Sequence, residues 1–268
     1  MADPTRSGTQ SIDRSVMLLK RLAMRGRTGW GLTDLAARCD LDKSTTHRIL
    51  SALIRGRIVE RDAASRRYRL GPMLFELSLA RPDSLAIQKA CEAPLQRLAT
   101  RLRCLTYVYL RSDCDAVVAA RAGSLPIKAM AAQIGTRRLL VETAGGTAIL
   151  MAMEKPQADA IIAASLRELE EVRGASHVRS VRRILEQSRK HGYGISEGHI
   201  APNTTAIGVP IFDAAGNPFA AINAGGPAEY FPAERLAQIA ELLREEARAI
   251  ERAAARIAAK LDDIAEVG

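Results

Sequence analysis

Apolar residues in the first quarter of the chain recur every three or four positions, the period of helices with one buried side. The first predicted helix has an inward stripe that consists of Ile12, Val16, Leu19 and Leu22 or Ala23. Gly29 and Gly31 end it, and a short second helix follows with Gly31 as its expected N-cap. A turn then leads to a third helix over residues 42–55.

The third predicted helix has an apolar face and a polar, basic face. Its inward side is formed by Thr46, Ile49, Leu50 and Leu53, and its outward side by Ser44, Arg48, Ser51 and Arg55. Short polar and basic side chains therefore occupy the exposed N-terminal half of the helix. This arrangement suits insertion into a DNA major groove, because small residues permit close approach and arginine can donate two hydrogen bonds to guanine.

Two short strands are predicted after the third helix. Residues 58–60 and 66–70 have strand-like patterns, with a turn between them and a stop at Gly71. Arg66 and Arg67 lie near the tip of this hairpin, where they suit contacts with the DNA backbone or the minor groove. The order of helices, turn and basic hairpin predicts a winged helix-turn-helix, mainly α with a β-wing.

The remaining chain alternates between strand and helix patterns. After the first domain, residues 1–71, a linker helix is predicted over residues 72–83 and a helix over about 84–103. Strands are predicted over 106–110, 116–121, 127–134, 193–197, 205–212 and 219–223, and helices over 145–153, 158–166 and 178–191. This succession indicates an α+β second domain, residues 84–268, with a sheet covered on one side.

The last predicted helix, over residues 232–261, repeats apolar residues at alternating steps of four and three. The stripe consists of Leu236, Ala240, Leu243, Ala247, Ile250, Ala254, Ile257 and Leu261. A strict 3.5-residue stripe is typical of a coiled coil between subunits, whereas small alanines at alternate positions fit a helix that lies close on its own sheet. We favour packing on the sheet.

Positive charge is concentrated in the first domain. Residues 1–71 hold 15 Lys and Arg against 7 Asp and Glu, whereas residues 72–268 hold 24 against 23. A segregated basic domain suits a polyphosphate backbone, because each neutralised phosphate releases counterions and adds affinity. The charge alone also suits RNA or an anionic lipid surface. The helix and hairpin order favours double-stranded DNA, and the low aromatic content, 4%, disfavours an RNA-stacking module.

Composition and residue spacing exclude several other classes. With 47% hydrophobic and 26% charged residues, the chain has ordinary globular usage. It has no apolar run of membrane-spanning length and no hydrophobic segment at its start, so we expect a cytoplasmic protein with no membrane partner. The four cysteines form no CxxC pair and the four histidines no HxxxH pair, so we expect no disulfide, no metal and no cofactor.

Two phosphate-binding motifs typical of enzymes are absent from the sequence. We find no GxxxxGK[ST] or GxGxxG pattern. Residues 196–199 place a hydroxyl, a carboxylate and an imidazole in succession, but neighbouring residues of a strand point to opposite faces and cannot form a relay. We therefore expect no catalytic residues. An enzyme that acts on a small organic acid in the second domain is the alternative hypothesis.

Several segments resemble the isocitrate lyase regulator (IclR) family of bacterial transcription factors. In the first domain they are residues 11–16 (SIDRSV), 32–36 (LTDLA), 43–50 (KSTTHRIL) and 67–71 (RYRLG), and weaker marks in the second domain are 135–137, 144–146, 191–193, 206–210 and 225–227. The resemblance implies a ligand-responsive regulator of catabolic genes that binds operator DNA as a homodimer or a dimer of dimers. The predicted DNA-binding residues are Thr33, Lys43, Ser44, Thr45, Thr46, His47, Arg48, Arg66 and Arg67.

The resemblance also implies that the second domain is GAF-like and binds a small effector in a cup. The predicted effector-binding residues are Ala144, Gly145, Gly146, Ser196, Ala206, Asn223 and Gly225. The paired glycines open a helix, where bare amides can receive a carboxylate. Family members that bind two- and three-carbon acids carry an acidic residue, a cysteine and two serines in the cup. The matching positions of this chain hold Ser196, Ala206, Asn223 and Gly225. Thr147 stands where the family usually has a lysine. We therefore expect a larger, bulky or aromatic organic acid.

Overall fold

The computed structural model describes residues 9–80, 82–125 and 132–265. The chain divides into two compact units, one that ends at Pro82 and one that begins at Asp83. Within the described residues, no helix combines the length and apolarity that crossing a bilayer requires.

The described residues of the first unit form three α-helices followed by a hairpin and a short fourth α-helix. They are α1 (Gln10–Ala23), α2 (Leu32–Arg38), α3 (Lys43–Arg55), β1 (Val59–Arg61), β2 (Tyr68–Leu70) and α4 (Met73–Ser78). The two strands are antiparallel. This order confirms the predicted winged helix-turn-helix.

The core of the first unit corrects the predicted inward face of α1. Leu18 and Leu22 are fully buried in a cluster with residues of α2, α3 and the hairpin. Ile12 and Val16, predicted to point inward, are 63% and 45% exposed. The prediction is confirmed for Leu22, which is buried, and for Leu19, which packs partly against the same cluster, and Leu18 is an additional buried member. Contacts with the other elements thus correct the first half of the predicted stripe.

The second unit is built on an antiparallel sheet with the strand order β5-β4-β3-β8-β7-β6. Its strands are β3 (Leu105–Ser112), β4 (Asp115–Ala122), β5 (Arg137–Leu139), β6 (Gly194–Glu197), β7 (Thr204–Phe212) and β8 (Pro218–Pro227). Its helices are α5 (Pro82–Leu102), α6 (Ala144–Ala152), α7 (Lys155–Arg173), α8 (Ala175–His191) and α9 (Leu236–Ala265). The predicted strand over residues 127–134 lies largely outside the described residues, and its described part is not a strand.

Helices cover both faces of this sheet, so the prediction of a sheet covered on one side is wrong. One buried cluster joins α5 and α9 to side chains such as Val108 and Ile222, and a second joins α6, α7 and α8 to Tyr107, Tyr109 and Ala221. Since successive residues of a strand point to opposite faces, neighbouring positions of β3 and β8 enter different clusters. Each face of the sheet is thus apolar enough to bind a layer of helices.

The terminal helix packs on its own sheet, as predicted. Its stripe from Leu236 to Ile250 is buried in the same cluster as β7 and β8, with Ile239 as an additional member. The last predicted position of the stripe, Leu261, lies outside the described side chains.

The first turn of α6 lies directly on the sheet because two strand positions carry no side chain. A Cβ at Gly208 would be 2.5 Å from the amide nitrogen of Gly145, and a Cβ at Gly194 would overlap the carbonyl oxygen of Ala144. Thr143 caps this turn, its hydroxyl accepting the Gly146 amide at 2.9 Å. The close approach places the residues around the start of α6 against β6, β7 and β8.

The corrected face of α1 predicts losses of stability of very different size for two substitutions in one helix. Leu18→Ala removes fully buried atoms and should lower the free energy of unfolding of the first unit by about 2 to 5 kcal/mol. Ile12→Ala acts on a side chain that is exposed in the single chain and, in a monomeric sample, should change the free energy of unfolding by less than about 0.5 kcal/mol. Trp30, the single tryptophan, is buried in this unit, so its fluorescence during urea unfolding measures both variants. Equal losses for the two variants would contradict the corrected face.

Candidate functional site

The N-terminus of α3 is organised by the carboxylate of Asp42. Its Oδ1 accepts the Thr45 amide at 2.7 Å and the Ser44 hydroxyl at 2.8 Å. The Thr45 amide, and after it the Ser44 hydroxyl, hold the pKa of Asp42 well below its usual range. Asp42 therefore stays ionised at the positive end of the helix, where an anion is favourable, and it orients Ser44.

Most of the predicted reading residues are presented to solvent by α3. Lys43, Ser44, His47 and Arg48 are exposed and Thr45 is partly exposed. Thr46 is fully buried, and its hydroxyl donates to the Asp42 carbonyl at 2.9 Å. The prediction of Thr46 as a DNA contact is therefore wrong, since its side chain belongs to the core.

The turn of the wing is held by a second aspartate. Asp62 Oδ1 accepts the amide and the hydroxyl of Ser65, each at 2.7 Å, and these bonds lower its pKa, the amide contributing most. Arg66 and Arg67 are both exposed. Arg67 donates from Nη1 to the Gly29 carbonyl at 3.2 Å, which ties its guanidinium to the base of the wing.

The segment before α2 is joined to the wing by backbone pairing. Trp30 and Tyr68 exchange two backbone hydrogen bonds of 2.9 and 2.8 Å. Gly29, with a φ of +61°, lies so close to β2 that a Cβ there would be 2.7 Å from the Tyr68 carbonyl. Thr33, also a predicted DNA contact, is exposed in the first turn of α2.

Two arginines near the wing were not predicted as site residues. The Arg25 guanidinium lies 3.7 Å from the centre of the Trp30 ring, and that of Arg61 lies 5.2 Å from the centre of the Tyr68 ring. Arg69, by contrast, is paired with Glu60 at 2.6 Å. The sequence shows that all of these residues are basic. It does not show which of them form an ion pair with a carboxylate.

In the second unit the sheet brings four predicted effector residues onto one face. Ser196 pairs with Ala206, and Ala206 with Gly225, so the three form a row across β6, β7 and β8. Gly208, two residues after Ala206, contacts the start of α6. Asn223, two residues before Gly225, lies beside Gly145 of the same helix. By strand alternation all four face the α6 side of the sheet.

The two glycines at the start of α6 do not both offer bare amides. Gly145 packs on the sheet, where a Cβ would be 3.0 Å from the Tyr109 ring and 3.7 Å from the Cβ of Asn223. The Gly146 amide donates to Thr143, and a Cβ on Gly146 would meet the Leu140 backbone. The prediction of Gly146 as an amide donor to the effector is therefore wrong, because the helix cap uses that amide.

Two polar atoms on this face are buried without a hydrogen-bond partner among the described residues. They are the Ser196 hydroxyl and Asn223 Oδ1, in residues that are 3% and 5% exposed. A buried polar group without a partner costs about 1 to 3 kcal/mol, and such groups call for a specific explanation. A polar molecule that binds at this face would be such an explanation.

Tyr107 is a candidate cup residue that the sequence pattern did not indicate. It is paired with Asn223 across β3 and β8, and it is buried on the α6 side. Burial raises the pKa of its hydroxyl, so the side chain is a neutral phenol at physiological pH. The strand pairing, which cannot be read from local spacing, is what brings it beside Asn223.

A winged helix-turn-helix together with an α+β domain that buries unpartnered polar atoms on one sheet face is typical of DNA-binding, ligand-responsive regulators. Two family models match the chain: the IclR helix-turn-helix domain over residues 11–63, and the bacterial transcriptional regulator IclR C-terminal domain over residues 80–252. The chain belongs to the IclR family of transcriptional regulators. The family match favours the regulator over the enzyme alternative.

Similar proteins cover nearly the whole chain. The transcriptional repressor AllR of Salmonella paratyphi A is 25% identical over 251 residues, which span 93% of this chain and 92% of the relative. An IclR-family regulator from Brucella abortus has a similar structure, with a TM-score of 0.71, 23% identity and coverage of 94% and 95% of the two chains. An IclR homologue from Microbacterium hydrocarbonoxydans, solved with 4-hydroxybenzoate, has a TM-score of 0.67, 22% identity and coverage of 92% and 99%.

The lowered pKa of Asp42 predicts a pH-dependent cap. Since the folded-state pKa lies below the unfolded value of about 4, the stabilisation from ionisation is complete above that pH and is lost as the pH falls below it. Asp42→Asn can still cap the helix but does not titrate. Its thermal midpoint, followed by Trp30 fluorescence, should be below wild type at pH 7, and the difference should narrow below about pH 4.

Asp34→Asn is the matched control for this measurement. It removes the same charge from the first turn of α2, where the N-cap is Gly31. A difference between Asp42→Asn and wild type that stays constant with pH would contradict the role of the Asp42 carboxylate.

Proposed function

We propose that α3 reads operator sequence in the major groove and that the wing contacts the DNA backbone. The residues assigned to base reading or close approach are Lys43, Ser44, Thr45, His47 and Arg48, and those assigned to backbone contacts are Thr33, Arg66 and Arg67. The observation that carries this proposal is the exposed N-terminal half of α3, which presents polar and basic side chains on a helix with a defined cap. The concentration of positive charge in residues 1–71 supplies the sequence-independent part of the affinity.

We propose that the effector is a bulky or aromatic organic acid bound in the cup on the α6 side of the sheet. Ser196 and Asn223 lie on β6 and β8 with β7 between them, so about 10 Å separates their strands. A molecule that bonds to both side chains has to be longer than a two-carbon acid. Ala206 carries only a methyl group and Gly225 no side chain, which favours a larger ligand, and Tyr107 adds an aromatic surface. The 4-hydroxybenzoate bound to the Microbacterium homologue is an acid of this class.

We propose that the regulator acts as a homodimer or a dimer of dimers on a near-palindromic operator. Large apolar side chains of the first unit are more than two-fifths exposed in the single chain: Ile12, Val16, Met24, Phe75, Leu77 and Leu79. Exposed apolar surface of this kind is typical of interfaces, and a two-fold dimer uses the same patch on both copies. Effector binding then changes operator affinity by a coupling free energy of about 1 to 3 kcal/mol, and the controlled genes encode catabolism of the effector.

The proposed division between reading and backbone contacts predicts different specificities for two variants. On an operator selected from random duplexes, Arg48→Ala should cost about 1 to 3 kcal/mol and relax the preference at one base pair. Arg67→Ala should weaken binding to all duplexes alike. It should also reduce the slope of log affinity against log salt concentration by about 1. Arg57→Ala is the control, since it removes the same charge from a residue paired with Glu76. Equal losses on operator and random DNA for Arg48→Ala would refute the reading role.

The unpartnered polar atoms of the cup predict variants that bind the effector more weakly without lowering the thermal stability of the protein. Without ligand, Asn223→Leu should leave the thermal midpoint unchanged or raise it, because it replaces an unsatisfied buried group by an apolar one of similar size. The stabilisation of wild type by 4-hydroxybenzoate should be larger than that by glyoxylate or pyruvate. Asn223→Leu and Ser196→Ala should each weaken binding of the aromatic acid by about 1.5 to 3 kcal/mol, measured by calorimetry.

Ser165→Ala is the control for the cup variants. Ser165 is also a buried hydroxyl without a partner among the described residues, but it belongs to α7. Stabilisation of the wild type by glyoxylate or pyruvate alone, or an equal loss of binding in Ser165→Ala, would contradict the assigned cup.

A further inference from the structure

Two histidines and a glutamate from distant parts of the second unit converge at one point. Glu142 ends the short turn before α6, His177 lies in the first turn of α8, and His199 follows β6. Glu142 Oε1 is 2.9 Å from His177 Nε2 and 4.0 Å from His199 Nε2. The two imidazole rings are 4.9 Å apart between centres. One ligand atom from each residue lies within 4.8 Å of the other two.

The cluster is shielded from solvent. The side chains of His199, Glu142 and His177 are 4%, 10% and 19% exposed. Charged and polar groups of this kind are rarely buried together unless they pair with one another or bind a metal. The contact between Glu142 and His177 accounts for one pair, and Nε2 of His199 points toward the same carboxylate at a distance too long for a hydrogen bond.

We propose that Glu142, His177 and His199 form a binding site for a divalent transition metal, with Zn²⁺ as the preferred ion and a fourth coordination position open. Imidazole nitrogen and carboxylate oxygen bind Zn²⁺ at roughly 2.0 to 2.2 Å, which in a tetrahedral site separates neighbouring ligand atoms by about 3.3 to 3.6 Å. The two distances from Glu142 Oε1, 2.9 and 4.0 Å, lie on either side of this range. All three ligand atoms lie within 4.8 Å of one another, so shifts on the order of one ångström would form the site.

A neighbouring residue orients one of the histidines. Ser180 Oγ lies 3.3 Å from His199 Nδ1. The outer nitrogen of a metal-binding histidine commonly pairs with a polar group, which fixes the ring so that the other nitrogen faces the metal. Ser180 has this role for His199.

One positive group has to be accommodated near the site. Arg173 Nη1 lies 3.4 Å from Glu142 Oε1, and its side chain is 54% exposed. Since most of this side chain is in solvent, the guanidinium can turn outward when a cation takes its place beside the carboxylate.

The ion would join three segments that border the effector cup. Glu142 directly precedes Thr143, the cap of α6, and His199 is three residues beyond Ser196. Metal binding would therefore stabilise the start of α6 and the connection between β6 and β7. The metal proposal does not rest on the assignment of the effector or of the DNA-reading residues.

The test uses the full-length protein stripped with a chelator and titrated with Zn²⁺ by calorimetry and with Co²⁺ by visible absorption. We expect one ion per chain, a raised thermal midpoint with Zn²⁺, and the intense visible bands of four-coordinate Co²⁺. His177→Ala and His199→Ala should each weaken binding at least about tenfold. His191→Ala, which removes an exposed histidine at the end of α8, should bind as wild type does.

Glu142→Gln keeps the test decisive if a histidine variant fails to fold. It preserves the shape of the side chain and a hydrogen-bond acceptor for His177 but removes the anionic ligand, so it too should bind Co²⁺ at least about tenfold more weakly. Failure of the wild type to bind one ion per chain, or a loss in His191→Ala equal to that in Glu142→Gln, would overturn the proposal. Operator binding, measured in parallel, is independent of this result.

Discussion

The close contact between the first turn of α6 and strands β6 and β7 is the constraint on which the second unit depends. It exists because Gly194 and Gly208 carry no side chain, so the helix backbone rests on the strand backbone. Thr143 then caps the helix directly above the sheet, and Asn223 and Tyr109 fill the space beside Gly145. A side chain at either strand glycine would lift the helix and open the floor of the cup.

This contact also explains the chemistry gathered around it. Glu142 is held beside the cap by its position in the chain, and α8 and the segment after β6 bring His177 and His199 to the same place. On the sheet face that α6 covers, Ser196 and Asn223 keep polar atoms in an apolar layer without partners among the described residues. Two groups of polar side chains thus lie near a rigid helix start, Glu142 with His177 and His199, and Ser196 with Asn223.

In the first unit, two aspartate side chains fix the local backbone. Asp42 fixes the start of α3, and Asp62 fixes the turn of the wing, each through bonds of about 2.7 Å to nearby amides and hydroxyls. Each carboxylate offsets one positive charge, but residues 1–71 still hold 15 Lys and Arg against 7 Asp and Glu. Arg69 differs from Arg66 and Arg67 in that it is paired with Glu60 across the hairpin.

The sequence by itself determined the features that depend on local spacing: the winged helix-turn-helix, the bounds of α3, the placement of Arg48 on its exposed side, and a terminal helix that packs on its own sheet. It misjudged Ile12 and Val16 in the first half of α1, because spacing alone does not tell which apolar side chains the neighbouring elements cover. Only the tertiary structure decided that both sheet faces are covered, that Tyr107 lies beside Asn223, and that Glu142, His177 and His199 meet. These contacts join residues far apart in the chain, and strand pairing and helix packing, not periodicity, bring them together.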